Sequence, residues 1–326
     1  MAKARSLDKR RKSVRNIRKI TRTMELIATA QFRRAMDRAI SAASYTERIV
    51  ELVGTITRTD SSALSKASDS HPLLQTHEKA SRASLLILTA NRGMCGGYNS
   101  SILRLGMPRW KELRDEYEHS RLEVSGKRGI AAFVFNKMRP DQTYTHFENK
   151  PTFEEIDELA QRFLEAYKAG TLDRLEVVYT KFHSLSRQEA VVETLLPLAD
   201  LAKPNEPVEE PIGSDESEEV AEATGTANQE KREEKGFNAT LIEYEFLPSP
   251  HEVLDELVPL AFRMKFFKCF LDAAVSEQVS RMVAMKAATE NADGMISQLT
   301  MTYNRARQGQ ITNELLEVIS GAEALS

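Results

Sequence analysis

The sequence of 326 residues has no long apolar run, only two cysteines and little glycine. A membrane-spanning helix needs about 20 consecutive apolar residues, and no stretch of the chain approaches that length. Cys95 and Cys269 lie far apart and fit no metal-ligand spacing, which favours inert thiols in a reducing compartment. The N-terminus is charged from Lys3 onward and has no apolar core of a secretory signal, so we interpret it as mature structure.

Motifs for catalysis and cofactor binding are missing as well. The six histidines do not pair at ligand spacing, and the acidic residues form no recognisable acid/base pair. A glycine-rich turn, Gly93–Gly97, follows an apolar segment but lacks the spacing of a dinucleotide-binding loop. The fragment Ser125–Arg128 resembles only part of a phosphate loop. We therefore expect no catalytic residue, no metal and no cofactor, and we assign the glycines to tight turns and close packing.

The net charge of −3 conceals an uneven distribution. Residues 1–58 contain 15 Lys and Arg against 5 Asp and Glu, whereas residues 206–235 contain 11 acidic against 3 basic residues. A basic terminus favours an acidic partner, either a nucleic acid or an acidic protein surface.

The N-terminal residues 1–58 contain no proline and predict one long helix. Apolar or small residues recur in steps of three and four, which is typical of a coiled coil. Two successive steps of four between Met24 and Phe32 predict a stutter. The predicted seam is Val14, Ile17, Met24, Ala28, Phe32, Ala35, Ala39, Ala42, Ile49, Val53 and Ile56, with polar Thr46 filling one position.

The C-terminal residues after Pro259 predict a second long helix. Its seam is Met282, Met285, Thr289, Ala292, Ile296, Leu299, Tyr303 and Ala306, and it resumes out of phase at Ile311, Leu315, Val318, Ala322 and Leu325. The two seams are rich in alanine, which allows close approach of two backbones. Because a globular middle returns the chain to its starting point, we expect the two helices to pair with each other in antiparallel orientation.

The middle of the chain predicts a Rossmann-like α/β domain with a largely parallel sheet. Expected strands are 84–90, 122–125, 174–179, 190–195 and 240–246, and expected helices run to about residue 118 after the glycine-rich turn, near 130–137 and over 153–169. The predicted division is therefore an N-terminal coiled-coil helix over 1–58, an α/β domain over 59–247 and a C-terminal coiled-coil helix over 248–326.

An acidic insertion interrupts this domain at about residues 204–236. Its composition offers little apolar area to offset the cost of ordering the backbone, which predicts disorder. Two roles stay open, a passive surface loop and a brake that docks on a basic surface.

Five segments of the chain resemble one family. They are Arg18–Ala28 (RKITRTMELIA), Gly93–Asn99 (GMCGGYN) and Glu277–Asn291 (EQVSRMVAMKAATEN), followed by Tyr303–Gln308 and Glu314–Ala322. All are similar to segments of the gamma subunits of bacterial-type F-type ATP synthases, in the same order along nearly the whole chain.

The resemblance implies a central-stalk rotor subunit without catalysis of its own. Its expected partners are the alpha and beta subunits, the epsilon subunit and the c-ring, with one copy per complex on the cytoplasmic face of the bacterial inner membrane, held there peripherally. By resemblance, Met24, Arg307, Gln308 and Thr312 contact a beta subunit, and Tyr244, Glu245 and Phe246 contact the c-ring.

Two alternatives start from the residues alone. A basic coiled-coil protein could bind nucleic acid, with an affinity that depends on salt. A nucleotide-dependent enzyme could use the α/β domain to bind NAD or ATP. Neither alternative explains why both termini carry matched seams around one α/β domain.

Overall fold

The computed structural model describes residues 2–59, 73, 80–147, 151–198 and 250–323. The acidic insertion and the predicted strand at 240–246 lie outside these residues. The described elements, in chain order, are α1 (Ala2–Thr59), β1 (Arg82–Leu88), α2 (Tyr98–Glu116), β2 (His119–Ser125), α3 (Lys127–Phe135), β3 (Gln142–Tyr144), α4 (Phe153–Lys168), β4 (Arg174–Phe182), β5 (Gln188–Leu196) and α5 (Pro250–Glu323).

The five described strands form one sheet in the order β3-β2-β1-β4-β5. The first four are parallel, and β5 pairs antiparallel with β4. The predicted α/β class and largely parallel sheet are confirmed. Strand β3 was not expected, because its three residues are too few to give a periodic pattern.

Helices cover both faces of the sheet and enclose two apolar cores. One core contains Leu85 and Ile87 of β1 with Ile102 and Trp110 of α2 and Phe133 of α3. The core on the opposite face contains Leu86 and Leu88 of β1, the apolar side of α4, and a run of α5 that includes Phe262, Phe266 and Phe270. Alternation along β1 divides its side chains between the two cores, as the pleat requires. Helix α4 begins with a capping box between Thr152 and Glu155.

Helices α1 and α5 form the predicted antiparallel coiled coil. The Thr289 hydroxyl donates a hydrogen bond to that of Thr21 at 2.9 Å. Towards the start of α1, Arg11 lies over the ring of Tyr303 at 4.8 Å. Towards its other end, Ala35 packs against Val275 and Val279. Residue numbers therefore rise along α1 as they fall along α5. At 74 residues α5 is about 110 Å long.

The seam on α1 differs from the prediction at its start. Ile17 is 51% exposed, and Thr21 is buried in its place. Val14, Thr21, Ala28 and Ala35 are all buried at intervals of seven residues, so the predicted stutter is wrong. It arose because Met24 lies eight residues before Phe32, whereas the buried positions repeat every seven. The prediction also counted apolar residues only and so omitted Thr21, whose hydroxyl donates to the Arg18 carbonyl at 3.1 Å.

The other seam positions up to residue 306 of α5 follow the prediction where their side chains are described. Thr46 and Ile49 of α1 are buried, as are Met285, Thr289 and Ala292 of α5. Positions 296, 299, 303 and 306 are half-buried. From Ile311 to residue 320 every α5 residue is exposed, so the out-of-phase seam does not pack against α1. The side chains of Val53 and Ile56 lie outside the described residues.

Candidate functional site

The residues predicted to contact a beta subunit lie at two levels of the coiled coil. Met24 is half-buried on α1, at the level of about residue 286 of α5. Arg307, Gln308 and Thr312 are exposed on α5. Some 20 residues of helix separate the two levels, or about 30 Å at 1.5 Å per residue. The structure thus keeps Arg307, Gln308 and Thr312 together and leaves Met24 at a separate position.

Arg307 lines a groove between the first turns of α1 and the distal part of α5. The groove has a volume of about 490 Å³ and is lined by Arg5, Asp8, Lys9, Lys12, Tyr303, Arg307, Gln310 and Ile311. Four cationic side chains face one carboxylate, which leaves an excess of three positive charges. We call these residues the basic groove.

Asp8 organises the α1 side of the basic groove. Its carboxylate pairs with Lys12 at 3.1 Å and with Arg11 at 2.6 Å. Hydrogen bonds from Lys12 and Arg11 lower the pKa of Asp8 below its ordinary value. Asp8 therefore stays ionised near neutral pH and fixes Lys12 of the groove and the adjacent Arg11, while Arg307 lines the groove from the opposite helix.

Apolar side chains on α1 flank Met24 and face solvent. Ile17, Ile20, Leu26 and Ile27 are each about half exposed. Several exposed apolar residues on one helical segment mark a protein contact surface more often than an isolated one does. The signal in the sequence was an excess of apolar residues between seam positions, which the seam assignment of Ile17 obscured.

The distal end of α5 carries a second exposed apolar surface. Its members are Ile311, Leu315, Leu316, Val318 and Ile319, of which Val318 is 71% exposed. We call these five residues the apolar tip. They follow the point at which α1 begins, since Arg5 and Lys9 already lie beside Ile311. No described part of α1 is available to cover them.

The proximal part of α5, residues 258–281, is fixed to the α/β domain, and we call this part the root. The Ser276 hydroxyl donates to the carbonyl of Thr180 in β4 at 3.1 Å. The Tyr98 hydroxyl, at the start of α2, donates to the carbonyl of Ala273 at 3.1 Å. Both contacts are buried, so the root is held by specific hydrogen bonds in addition to its phenylalanines.

A half-buried carboxylate adds to this attachment. Lys265 of the root pairs with Glu193 of β5 at 3.1 Å, and the Tyr179 hydroxyl donates to the same carboxylate at 2.5 Å. Burial opposes ionisation of Glu193, but Lys265 and the Tyr179 hydroxyl outweigh it, so the pKa of Glu193 lies below its ordinary value. Burial raises the pKa of the neighbouring Cys269 thiol well above its usual range, which fits an unreactive cysteine.

A fully buried carboxylate ties α2 to the sheet. Glu176 of β4 accepts two hydrogen bonds from Arg109 of α2, at 2.7 and 2.9 Å, and one from Arg174 at 2.6 Å. Burial opposes its ionisation, but the two arginines prevail and lower the pKa of Glu176. The domain that holds the root is therefore itself cross-linked by ion pairs.

The glycine-rich turn after β1 packs against α5. Gly96 has a φ of +56°, and a Cβ there would lie 3.6 Å from the Cβ of Ala284. A nitrogen of the Arg281 guanidinium lies 3.5 Å from the Arg92 carbonyl oxygen. In doubly wound sheets nucleotides bind at the carboxyl ends of the strands, beside this turn. Helix α5 occupies that position here, which disfavours the nucleotide-binding alternative.

The second glycine motif also serves packing. Gly126 has a φ of +98°, and a Cβ at this position would lie 2.1 Å from the Thr89 carbonyl oxygen. Glycine at this point therefore allows β1 and the start of α3 to approach closely.

Three further expectations concern binding groups and the membrane. Tyr244, Glu245 and Phe246 lie outside the described residues. Among the residues that the structure describes, no cluster of three His, Cys, Asp or Glu side chains is arranged to hold a metal ion. In the same part of the chain no helix combines the length and apolar character needed to cross a bilayer.

Comparison with known proteins gives one consistent result. The family model described as ATP synthase matches residues 3–325. The ATP synthase gamma chain of Rhodopirellula baltica is 50% identical over 325 residues, which cover 100% of this chain and 99% of that one. The gamma chain of Leptospira biflexa is 35% identical over 327 residues and matches over the full length of both chains.

Solved structures share the fold at lower identity. A chain from the rotor of the Euglena gracilis mitochondrial ATP synthase in rotational state 1 has a TM-score of 0.56 at 17% identity, over 95% of this chain and 99% of that one. A chain from the same enzyme in rotational state 3, in a structure of OSCP, F1 and c-ring, has a TM-score of 0.59 at 17% identity, over 99% of this chain and 95% of that one.

Proposed function

The chain belongs to the ATP synthase gamma chain family, and from this we propose that it is the central shaft of an F-type ATP synthase. In this role it couples rotation of an ion-driven c-ring to conformational cycling of the catalytic beta subunits. It supplies the coupling, and the chemistry of ATP synthesis and hydrolysis belongs to its partners. The observation that carries the proposal is the continuity of α5, which runs from the core of the α/β domain to the exposed apolar tip.

A shaft must transmit torque without slipping at its base. The root of α5 contributes Phe262, Phe266 and Phe270 to the domain core and is held by buried hydrogen bonds from Ser276 and Tyr98. Rotation of the domain therefore turns α5 with it, because independent rotation of the helix would break these contacts and expose the phenylalanines. Helix α1 follows, since it packs along α5.

A shaft must also present unlike faces to identical partners. The coiled coil has the basic groove at one level, the exposed isoleucines near Met24 at another, and the apolar tip at its end. Because the two helices differ in sequence and their pair has no threefold symmetry, three chemically identical beta subunits around it meet different surfaces at any one time. When a shaft surface binds one conformation of a beta subunit better than another, the population of that beta subunit shifts towards the conformation that binds better. Each beta subunit is thereby biased towards a different nucleotide affinity, and rotation exchanges these roles.

Specific contacts follow for the predicted site residues. Arg307, Gln308 and Thr312 bind a loop of one beta subunit, and the excess positive charge of the adjoining basic groove favours an acidic loop. Met24 and the apolar residues beside it contact a beta subunit at the other level. The c-ring contact through Tyr244, Glu245 and Phe246 stays a prediction. The alpha and epsilon subunits complete the partners, and the complex holds one copy peripherally at the cytoplasmic face of the inner membrane.

Coupled ATP hydrolysis by the assembled complex tests the proposal. Arg307→Ala with Gln308→Ala removes charge-assisted hydrogen bonds, each worth about 1.5–3 kcal/mol. We expect steady-state hydrolysis or assembly to fall by about tenfold or more. The unfolding of the isolated chain should not change, because both side chains are exposed.

The matched control replaces Arg305 and Gln298, which are exposed on the same helix and do not line the basic groove. Both should become alanine, and assembly and hydrolysis should match the parent complex. If the Arg307/Gln308 variant also matches the parent, the proposed beta-subunit contact is wrong. If the parent chain does not co-assemble with alpha and beta subunits at all, the shaft proposal itself fails.

A further inference from the structure

A second cleft lies on the sheet face that α4 partly covers, at the amino ends of β1 and β2. Its volume is about 360 Å³, within the range of about 300–1,000 Å³ found for small-molecule sites. It is separate from the coiled coil, because both strands and α4 belong to the α/β domain. Its polar lining includes Arg82, Ser84, His119, Arg121, Glu123 and Arg162.

The strand register brings these side chains to one face. Arg82 pairs with His119 and Ser84 with Arg121 across β1 and β2. Since side chains alternate along a strand, all four point to the face covered by α4. Helix α4 contributes Arg162 to the cleft, and its Phe163 and Ala166 form an apolar wall. Three guanidinium groups therefore line one cleft.

The negative charges near the cleft are already engaged. Glu123 accepts from Arg162 at 2.6 Å and from the Tyr144 hydroxyl at 2.7 Å. Asp173, behind the start of β1, accepts from the backbone N–H groups of Ser81 and Arg82 at 2.8 and 2.9 Å. Arg82 donates to the Gly170 carbonyl. In the part of the chain that the structure describes, Arg121 has no ion pair or hydrogen bond from its guanidinium.

The hydroxyl of Ser84 is a second, independent sign of a ligand. Ser84 is 2% exposed, and its hydroxyl oxygen has no hydrogen-bond partner among the described residues. A buried hydroxyl without a partner is destabilising, and such groups are few in folded proteins. This hydroxyl lies in the wall of the arginine cleft, where a bound acceptor would satisfy it.

We propose that this cleft binds a small oxyanion of the phosphate class, with Arg121 as the main charged contact and the Ser84 hydroxyl as a hydrogen-bond donor. Guanidinium groups hold phosphate oxygens in bidentate geometry. Three arginines and one glutamate line the cleft and leave an excess of two positive charges. The site is distinct from the proposed beta-subunit contacts and does not depend on the shaft function.

Calorimetric titration of the full-length chain with inorganic phosphate, at constant ionic strength set with chloride, tests the site. We expect saturable binding and a rise in the thermal midpoint with phosphate concentration. A parallel titration with glycerol phosphate distinguishes free phosphate from a phosphate monoester. Saturable binding of either ligand supports the site. If neither ligand binds saturably, the proposal is overturned.

Two variants assign the binding to the cleft. Arg121→Gln should weaken phosphate binding about tenfold or more, since a charged hydrogen bond is lost. Arg114→Gln is the matched control, because Arg114 is exposed on α2 and lies outside the cleft. Equal binding by the two variants would mean a general effect of anions and would overturn the proposal.

Ser84→Ala distinguishes a serine that binds phosphate from a serine that only stabilises the fold. Without phosphate the variant should be at least as stable as the parent, because it removes a buried hydroxyl without a partner. With phosphate it should bind about threefold to tenfold more weakly than the parent. Unchanged affinity in this variant would remove the serine from the site, and a stability loss without phosphate would show that the hydroxyl already has a partner.

Discussion

The root and the apolar tip belong to the same helix and have opposite surroundings. In the root, Val258, Phe262 and Phe266 are fully buried against the α/β domain. At the tip, Leu315, Leu316 and Val318 are more than half exposed. Both segments are rich in apolar residues, so composition alone does not separate them. The apolar area of the root therefore stabilises the chain itself, whereas the apolar area of the tip is available to a partner.

The largest expected difference comes from truncating one apolar side chain in each region. Phe266 contacts the rings of Phe163, Phe262 and Phe270 at centroid distances of 5.8, 5.8 and 5.3 Å. We expect Phe266→Ala to lower the free energy of unfolding by about 3–5 kcal/mol, because it leaves a cavity. Leu316→Ala at the tip should change it by less than about 0.5 kcal/mol. Urea unfolding of the isolated chain measures both changes. Similar losses would show that the tip, like the root, is packed within the chain.

A buried carboxyl in the root should give stability a pH dependence. Burial raises the pKa of Asp272 to about 6, a rise that Glu193 adds to and that Lys268 and Lys181 oppose. The folded chain therefore holds this proton more tightly than the unfolded chain, whose pKa is near 3.8. The resulting stabilisation is present below about pH 4 and is lost as the pH rises through about 6.

Asp272→Asn isolates this contribution. The free energy of unfolding of the variant relative to the parent should rise by about 2–3 kcal/mol between pH 4 and pH 7.5, at 1.36 kcal/mol per pKa unit. Urea unfolding at a series of pH values measures the difference. Asp115→Asn, at an exposed position of α2, controls for the loss of one formal charge. A constant difference between Asp272→Asn and the parent would contradict the raised pKa.

The seam between root and tip tests where the self-contacts of α5 end. Ala292 is 4% exposed and packs in the coiled coil. We expect Ala292→Trp to destabilise the chain by about 1–3 kcal/mol, because a large side chain forces the helices apart. Asn291→Trp places the same side chain on the exposed face next to it and should be nearly neutral. Equal thermal midpoints for the two variants would count against the seam.

The smallest effect on the isolated chain is expected at the tip. Leu315→Ser with Val318→Ser should leave its free energy of unfolding within about 0.5 kcal/mol of the parent, since both side chains are exposed. If the tip contacts the alpha and beta subunits in the complex, the same variant should assemble poorly. Glu317→Ser, on the same exposed segment, is the control. Normal assembly of the Leu315/Val318 variant would assign the tip no partner.

The sequence alone was enough to predict the long helices and the positions of most described strands along the chain. Each of these depends on a local pattern, such as steps of three and four in α5 or the apolar run of β1, that is visible in a single segment. The antiparallel pairing followed from the position of the two helices at either end of a globular middle. The site residues Arg307, Gln308 and Thr312 came from resemblance, and their contacts with partners remain predictions. Met24 was also assigned by resemblance, and its contact with a beta subunit remains a prediction.

Which partner each side chain contacts depends on the folded arrangement and could not be predicted from a single segment. The tertiary structure placed Thr21 in the seam instead of Ile17, since a threonine can satisfy its hydroxyl within the helix while an isoleucine carries no mark of the face it occupies. It buried the root and exposed the tip of one helix. It also brought Ser84, Arg121 and Arg162, which lie far apart in the chain, into one cleft. These outcomes depend on strand register and helix packing between residues far apart in the chain. A local repeat carries no information about such contacts.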